Sequence, residues 1–295
     1  MEELTFERKG KKIFYRRWAD VSAPRGVVQI AHGMVEHTLR YDEVARRFQD
    51  AGYIVVADEH RGHGNTDPET LGYCAGDMFE ETIEDMYFLL QKTKAEYPSL
   101  PYFLFGFSYG SFLTQAFIGR YGKDLSGAVI GGSSKNPHIA VSFGKFVSDL
   151  GCLYKGEKAP ARLVKTLTFG AYDQKFADRC FLSVNPESNE KYFADPFCTY
   201  TCSYNFYRSF FGGLKKLYSK AYGKSLRRDL PLLLISGEDD AVGDMGKGVK
   251  RLYDYYKKQG CDVTMKLYPH SRHEFLNEDP ARVDDIVAFL RGVRE

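Results

Sequence analysis

Ser108 stands in the stretch FLFGFSYGSF, two residues from Gly106 on one side and Gly110 on the other. A serine hydroxyl is a poor nucleophile at its own pKa and needs a neighbouring base. A Gly-x-Ser-x-Gly arises by chance in roughly one or two of every ten chains this long, so the pentapeptide alone decides nothing. The candidate bases are His32, His37, His60, His63, His138, His270 and His273. For a serine on a strand-to-helix turn, the acid and then the histidine follow it along the chain, which keeps His138, His270 and His273. His138 lies in a stretch that breaks the strand–helix alternation. His270 and His273 both follow the last apolar strand, and position does not separate them. The acid belongs after the preceding strand, where the sequence reads GEDDAVGD and offers Glu238, Asp239, Asp240 and Asp244. Such a charge run is ordinarily a solvated loop. Here it falls where a carboxylate must orient the histidine.

Acyl transfer also needs two backbone N–H donors for the oxyanion. The residue after the nucleophile, Tyr109, supplies one. The strand Val27 to Ala31 runs into His32-Gly33-Met34, and the N–H of Met34 is the natural second donor, with Gly33 permitting the turn.

The elements that must hold these groups are legible in the apolar pattern. Leu4 to Arg8 and Lys12 to Trp18 read as strands joined at Lys9-Gly10, a plausible hairpin. Strands follow at Val27 to Ala31, Tyr53 to Ala57, Tyr102 to Gly106, Ser126 to Gly131, Leu230 to Ser236 and Val263 to Tyr268. Helices are expected over Tyr41 to Ala51, Thr82 to Tyr97, Ser111 to Tyr121, Lys247 to Gln259 and Pro280 to Arg294. Strands alternating with helices imply a parallel sheet covered on both faces. The alternation stops between about 135 and 225. The expected division is a core of 1–134 and 226–295 with a helical cap at 135–225. In the cap, Phe143, Phe146, Val147, Leu150 and Leu153 share one helical stripe, and Tyr207, Phe210, Phe211, Leu214 and Leu217 another. These stripes pack on one another or form the apolar underside of a lid.

Composition narrows the function. The 295 residues are 43% hydrophobic with a formal charge of +2, which suits a globular core and gives no electrostatic footprint for nucleic acid. No apolar run reaches the length of a membrane span. The opening MEELTFERKGKK begins with acids and lacks the apolar core of a secretory signal. The six cysteines are scattered, and only Cys198 and Cys202 lie close together, without a nearby histidine to suggest zinc. They read as free thiols of a cytoplasmic protein.

The segments HGMVEHTLRYDEVARRFQDAGYIVVADEHRGHG (32–64), GFSYGS (106–111), DPFCTYT (195–201), LLLISGEDDAVGD (232–244) and YPHSRHEFLNE (268–278) together resemble the monoglyceride lipase and lysophospholipase branch of the α/β-hydrolases, which is grouped with serine aminopeptidases. The resemblance covers nearly the whole chain. It implies Ser108 as nucleophile, Asp240 from the acidic run and His273 from the histidine pair, and a mostly parallel sheet with an inserted helical cap. It implies structural roles for His60 and His63 and none in the chemistry for Glu36 and His37. The chain departs from the family in carrying Phe107 where histidine is common and Tyr109 where methionine is common. The implied activity is hydrolysis of a monoacylglycerol, lysophospholipid or similar ester with an apolar acyl chain, without metal or cofactor. Membrane contact is expected to be loose at most and made through the cap; the oligomeric state is left open. The alternatives are a proline-type aminopeptidase, whose amine anchor would come from Asp173, Asp178, Glu187 or Asp195, and a non-catalytic binding protein on the same scaffold.

Overall fold

A computed structural model describes residues 1–293. Its single sheet has eight strands in the order β1-β2-β4-β3-β5-β6-β7-β8. They are β1 (Glu2–Arg8), β2 (Lys11–Trp18), β3 (Gly26–Ala31), β4 (Tyr53–Asp58), β5 (Tyr102–Phe107), β6 (Gly127–Gly131), β7 (Leu232–Gly237) and β8 (Val263–Tyr268). The first two form the expected hairpin, and β2 runs antiparallel to β4. The rest pair in parallel. Every residue of β3, β4, β5, β6 and β7 is buried, as parallel strands covered on both faces must be. At the edge, β8 keeps Thr264 and Lys266 exposed. This is the α/β-hydrolase architecture.

Helices α1 (Asp42–Asp50), α2 (Met78–Glu96) and α3 (Tyr109–Tyr121) follow β3, β4 and β5 in the predicted order. Helix α2 starts four residues earlier than its apolar spacing suggested. Asp77 caps it, accepting the Glu80 N–H at 3.2 Å, and so brings Met78 and Phe79 into the first turn.

Between β6 and β7 the chain is helical: α4 (His138–Lys155), α5 (Arg162–Lys165), a π turn at Thr166–Gly170, α6 (Ala171–Asp173), α7 (Pro186–Ala194), α8 (Tyr204–Lys216) and α9 (Lys220–Ser225). After β7 come α10 (Lys247–Lys258), α11 (Phe275–Glu278) and α12 (Val283–Gly292). The last predicted helix opens instead as a 3-10 turn at Pro280–Arg282, since Asp279 caps that turn. Its predicted end, Arg294, lies outside the described residues. Two apolar cores flank the sheet. Phe48 of α1 and Ile286 and Leu290 of α12 belong to one; Met86 of α2, Phe117 of α3 and Leu252 of α10 belong to the other.

The α4 stripe behaves differently from its pattern. Gly144 and Gly151 lie so close to the rings of Phe211 and Tyr204 on α8 that an added Cβ would collide with them. Small residues therefore make the α4–α8 seam, and Phe146, Leu150 and Leu153 are left exposed on the outer face. The second stripe, Tyr207 to Leu217, is buried throughout.

Candidate active site

Strands β3, β5, β7 and β8 bring Met34, Ser108, Tyr109, Asp240 and His273 to the carboxyl end of the sheet. Strand β4 lies on one side of β3 and β5 on the other, so the chain switches direction between β3 and β5. Ligands bind at the carboxyl ends of strands at such a switch. Ser108 sits there, directly after β5 and before α3, at φ 51° and ψ −117°. A positive φ in a residue with a Cβ is strained. The flanking glycines explain how the turn is held. A Cβ on Gly106 would strike Gly110 O, and one on Gly110 would strike Ala31 O. Both glycines are therefore dictated by close backbone packing, which thrusts the serine outward.

His273 Nε2 lies 2.8 Å from Ser108 Oγ. Its Nδ1 lies 3.0 Å from both carboxylate oxygens of Asp240. Asp240 is buried, accepting the Val242 N–H at 2.8 Å and the Ser236 hydroxyl at 3.0 Å. Burial alone would lower the pKa of His273, but the charge and hydrogen bond of Asp240 outweigh it and the net shift is upward. The ring of Phe107, one of the departures from the family pattern, packs on His273 at 4.9 Å between centroids. The rejected alternatives go elsewhere. His270 is exposed in a left-handed turn, and His138 starts α4 on the surface. Asp244 pairs with Arg251 at 3.0 Å.

Met34 and Tyr109 both border the space beside Ser108. Among the described residues, neither backbone N–H donates to a protein acceptor. The loop carrying Met34 is tied down by a device the sequence reading did not assign. Glu36 accepts the Gly33 N–H and the Tyr41 hydroxyl, and pairs with Arg40. Arg40 also grips Glu274 in bidentate fashion at 2.8 and 2.9 Å. Burial opposes ionisation of Glu274, but the Arg40 guanidinium holds its carboxyl below the usual range. Next to Met34, Val35 adopts φ 60°, an outlier for a β-branched side chain. The Tyr192 hydroxyl from α7 donates to its carbonyl at 3.1 Å. The sequence signal for this network is the glutamate three residues after Gly33.

Two cavities meet at Ser108. One, of about 280 Å³, is bordered by Gly33, Glu36, Lys165, Asp173, His273 and Glu274 and is the more polar. The other, of about 340 Å³, runs under α4 and α8 and is bordered by Tyr109, Phe112, Phe143, Val147, Phe210 and Leu214. Of the acids considered as amine anchors, only Asp173 borders the polar cavity. Asp178 pairs with Arg272, Glu187 with Lys191 and Asp195 with His37. Below the site, His32, His60 and His63 form a buried cluster, with His32 stacked on His60 at 3.9 Å between centroids. Burial and mutual repulsion hold His32 well below the usual histidine value and lower His63 to about 3.

Sheet order, serine turn and the Ser108–His273–Asp240 arrangement together define the α/β-hydrolase class. Within it, the chain belongs to the family described as serine aminopeptidase, S33, whose sequence model matches residues 22–280. It is 31% identical to a monoacylglycerol lipase of Mycolicibacterium smegmatis over 95% of this chain and 93% of that protein. It is 26% identical to the human monoglyceride lipase over 92% of this chain and 82% of that protein. Among solved structures, a thermostable carboxyl esterase of Bacillus coagulans, in complex with glycerol, superposes with a TM-score of 0.89 at 26% identity, covering 99% of this chain and 98% of that one. The chain is a serine hydrolase of the monoglyceride lipase-like branch, as its motifs led us to expect.

Proposed function

We propose that the protein hydrolyses medium- or long-chain monoacylglycerols through an acyl-enzyme on Ser108. The observation that carries this reading is the junction of an apolar and a polar cavity at Ser108 Oγ, 2.8 Å from His273 Nε2. The acyl chain lies in the apolar cavity and the glycerol in the polar one. His273 takes the Ser108 proton as Oγ attacks the ester carbonyl, and Asp240 orients the imidazole and stabilises its charged form. The N–H groups of Met34 and Tyr109 hold the oxyanion, and losing one such donor costs about 2.7–4 kcal/mol. His273 then protonates the departing glycerol oxygen and activates water to free the fatty acid.

Residues 135–225 act as the cap over the core of 1–134 and 226–295. The outer face of α4, with Ile139, Phe146, Leu150 and Leu153 exposed, makes loose contact with the lipid that supplies substrate. The Tyr109 ring, packed against Phe206 and Phe210, forms the floor of the acyl cavity.

Hydrolysis of p-nitrophenyl esters from acetate to palmitate tests the reading, with Ser108→Ala as control. Activity that peaks at medium or long chains and disappears in the variant is expected. Activity confined to acetate and butyrate would contradict the assignment of the apolar cavity. Release of arylamine from a proline arylamide, with no ester cleavage, would favour the aminopeptidase alternative.

A further inference from the structure

Spacing along the chain gave Cys198 no histidine partner, but the fold supplies one. His37, at the end of the loop after β3, meets Asp195 and Cys198 on the 3-10 turn Pro196–Cys198 and its cap. The His37 ring nitrogen, a carboxylate oxygen of Asp195 and the Cys198 sulfur all lie within 4.8 Å of one another. His37 Nε2 and Asp195 Oδ2 are 2.8 Å apart. These three side chains bring together a nitrogen, an oxygen and a sulfur donor, the set that borderline divalent ions such as zinc and cobalt favour. Tetrahedral bonds of about 2.0–2.3 Å would need the His37–Asp195 pair to open by only about half an ångström.

We propose that His37, Asp195 and Cys198 form a binding site for a zinc-class divalent ion in the wall of the active-site cavity, and that occupancy slows hydrolysis. Glu36 and Glu274 border the same cavity as Cys198. The site is reachable from two sides. His37 and Asp195 border a groove on the outer surface with Lys191 and Phe197, while Cys198 borders the cavity that holds Ser108. The consequence for activity follows from the chain. His37 is joined directly to Glu36, whose carboxylate holds the Gly33 N–H and so the loop of Met34. Drawing His37 onto a metal pulls on that loop. Binding exchanges the thiol proton for the ion, giving a thiolate–metal bond and one released proton. Because a proton is released, affinity falls as pH is lowered.

The inhibitory half of this proposal rests on the esterase reading; the binding half does not. Titration of the purified chain with Co²⁺ reads binding by the thiolate-to-cobalt charge-transfer band, without any ester present. One equivalent and a band that Zn²⁺ abolishes are expected. Cys198→Ser should lose the band, and Cys180→Ser, whose thiol lies outside the cluster, should keep it. His37→Gln and Asp195→Asn should each weaken Co²⁺ binding about tenfold or more, and they carry the test if Cys198→Ser fails to fold. No band in the wild type, a band that survives in Cys198→Ser, or unchanged affinity in both ligand variants would overturn the site. Zn²⁺ slowing the wild type and Cys198→Ser equally would overturn the coupling to hydrolysis.

Discussion

At the scale of single residues, the strain at Ser108 and the shift at His273 make opposite demands that can be measured. Ser108 keeps a left-handed φ of 51°, a conformation costing about 1–3 kcal/mol in a residue with a Cβ. Ser108→Ala and Ser108→Gly both remove the hydroxyl and its bond to His273, but only glycine relieves the strain. Glycine's added entropy loss on folding is roughly 0.5–1 kcal/mol, so Ser108→Gly should exceed Ser108→Ala in stability by about 1 kcal/mol. Equal urea midpoints for the two would show that the turn is unstrained. The proposed mechanism needs neutral His273, and its pKa is raised by Asp240 over the lowering effect of burial. The acid limb of kcat/KM should therefore lie above the ordinary histidine value of 6.5. In Asp240→Asn, burial loses its main opponent and the limb should move down, with kcat falling roughly 10⁴-fold. A limb that stays in place would mean that another group sets it.

At the scale of elements, the α4–α8 seam separates packing from exposure. Gly144→Val would drive a branched side chain into the Phe211 ring, and such overpacking costs typically about 1–3 kcal/mol. Phe146→Ser, on the exposed face of α4, should leave the thermal midpoint within about a degree or two. Matching losses in the two variants would place Phe146 in the core. This seam also shows where the sequence is hard to read. The strand–helix core was legible because its central strands are largely apolar and its helices carry regular stripes; even the edge strand β8 was predicted to the residue. In α4 the apolar stripe and the packing face diverge, because glycines at 144 and 151 allow close approach and carry no hydrophobic signal of their own. The chemistry-bearing residues were readable from strand ends, but the choice of His273 over His270 needed either a family pattern or the fold. The strained Val35 and the Glu36–Arg40–Glu274 network join residues over two hundred positions apart, which local patterns do not reveal.

At the scale of the whole molecule, the buried histidines beneath the site set an acid limit on stability. The values of His32 and His63 lie below 6.5 in the folded chain, so unfolding takes up protons. Their contribution is fully present above 6.5 and is lost as pH falls toward about 3, the value of His63. The urea midpoint should fall through this range, and His63→Gln should flatten the fall; an unchanged slope would assign it to other groups. No helix among the described residues is long and apolar enough to cross a membrane; the lipid contact proposed above uses the exposed outer face of α4. Flotation with neutral phospholipid vesicles should recover a minor fraction of the protein, reduced further by Leu153→Ser; complete recovery would mean a tighter anchor than this face provides. The central claim is that Ser108 transfers an acyl group from a glycerol ester. Glycerol release from a 1-monoacylglycerol, compared between the wild type and Ser108→Ala, tests it most directly. The account predicts glycerol and fatty acid in equal amounts from the wild type, with the rate in the variant reduced by roughly 10⁶. No glycerol from the folded wild type, or equal rates from both proteins, would contradict it.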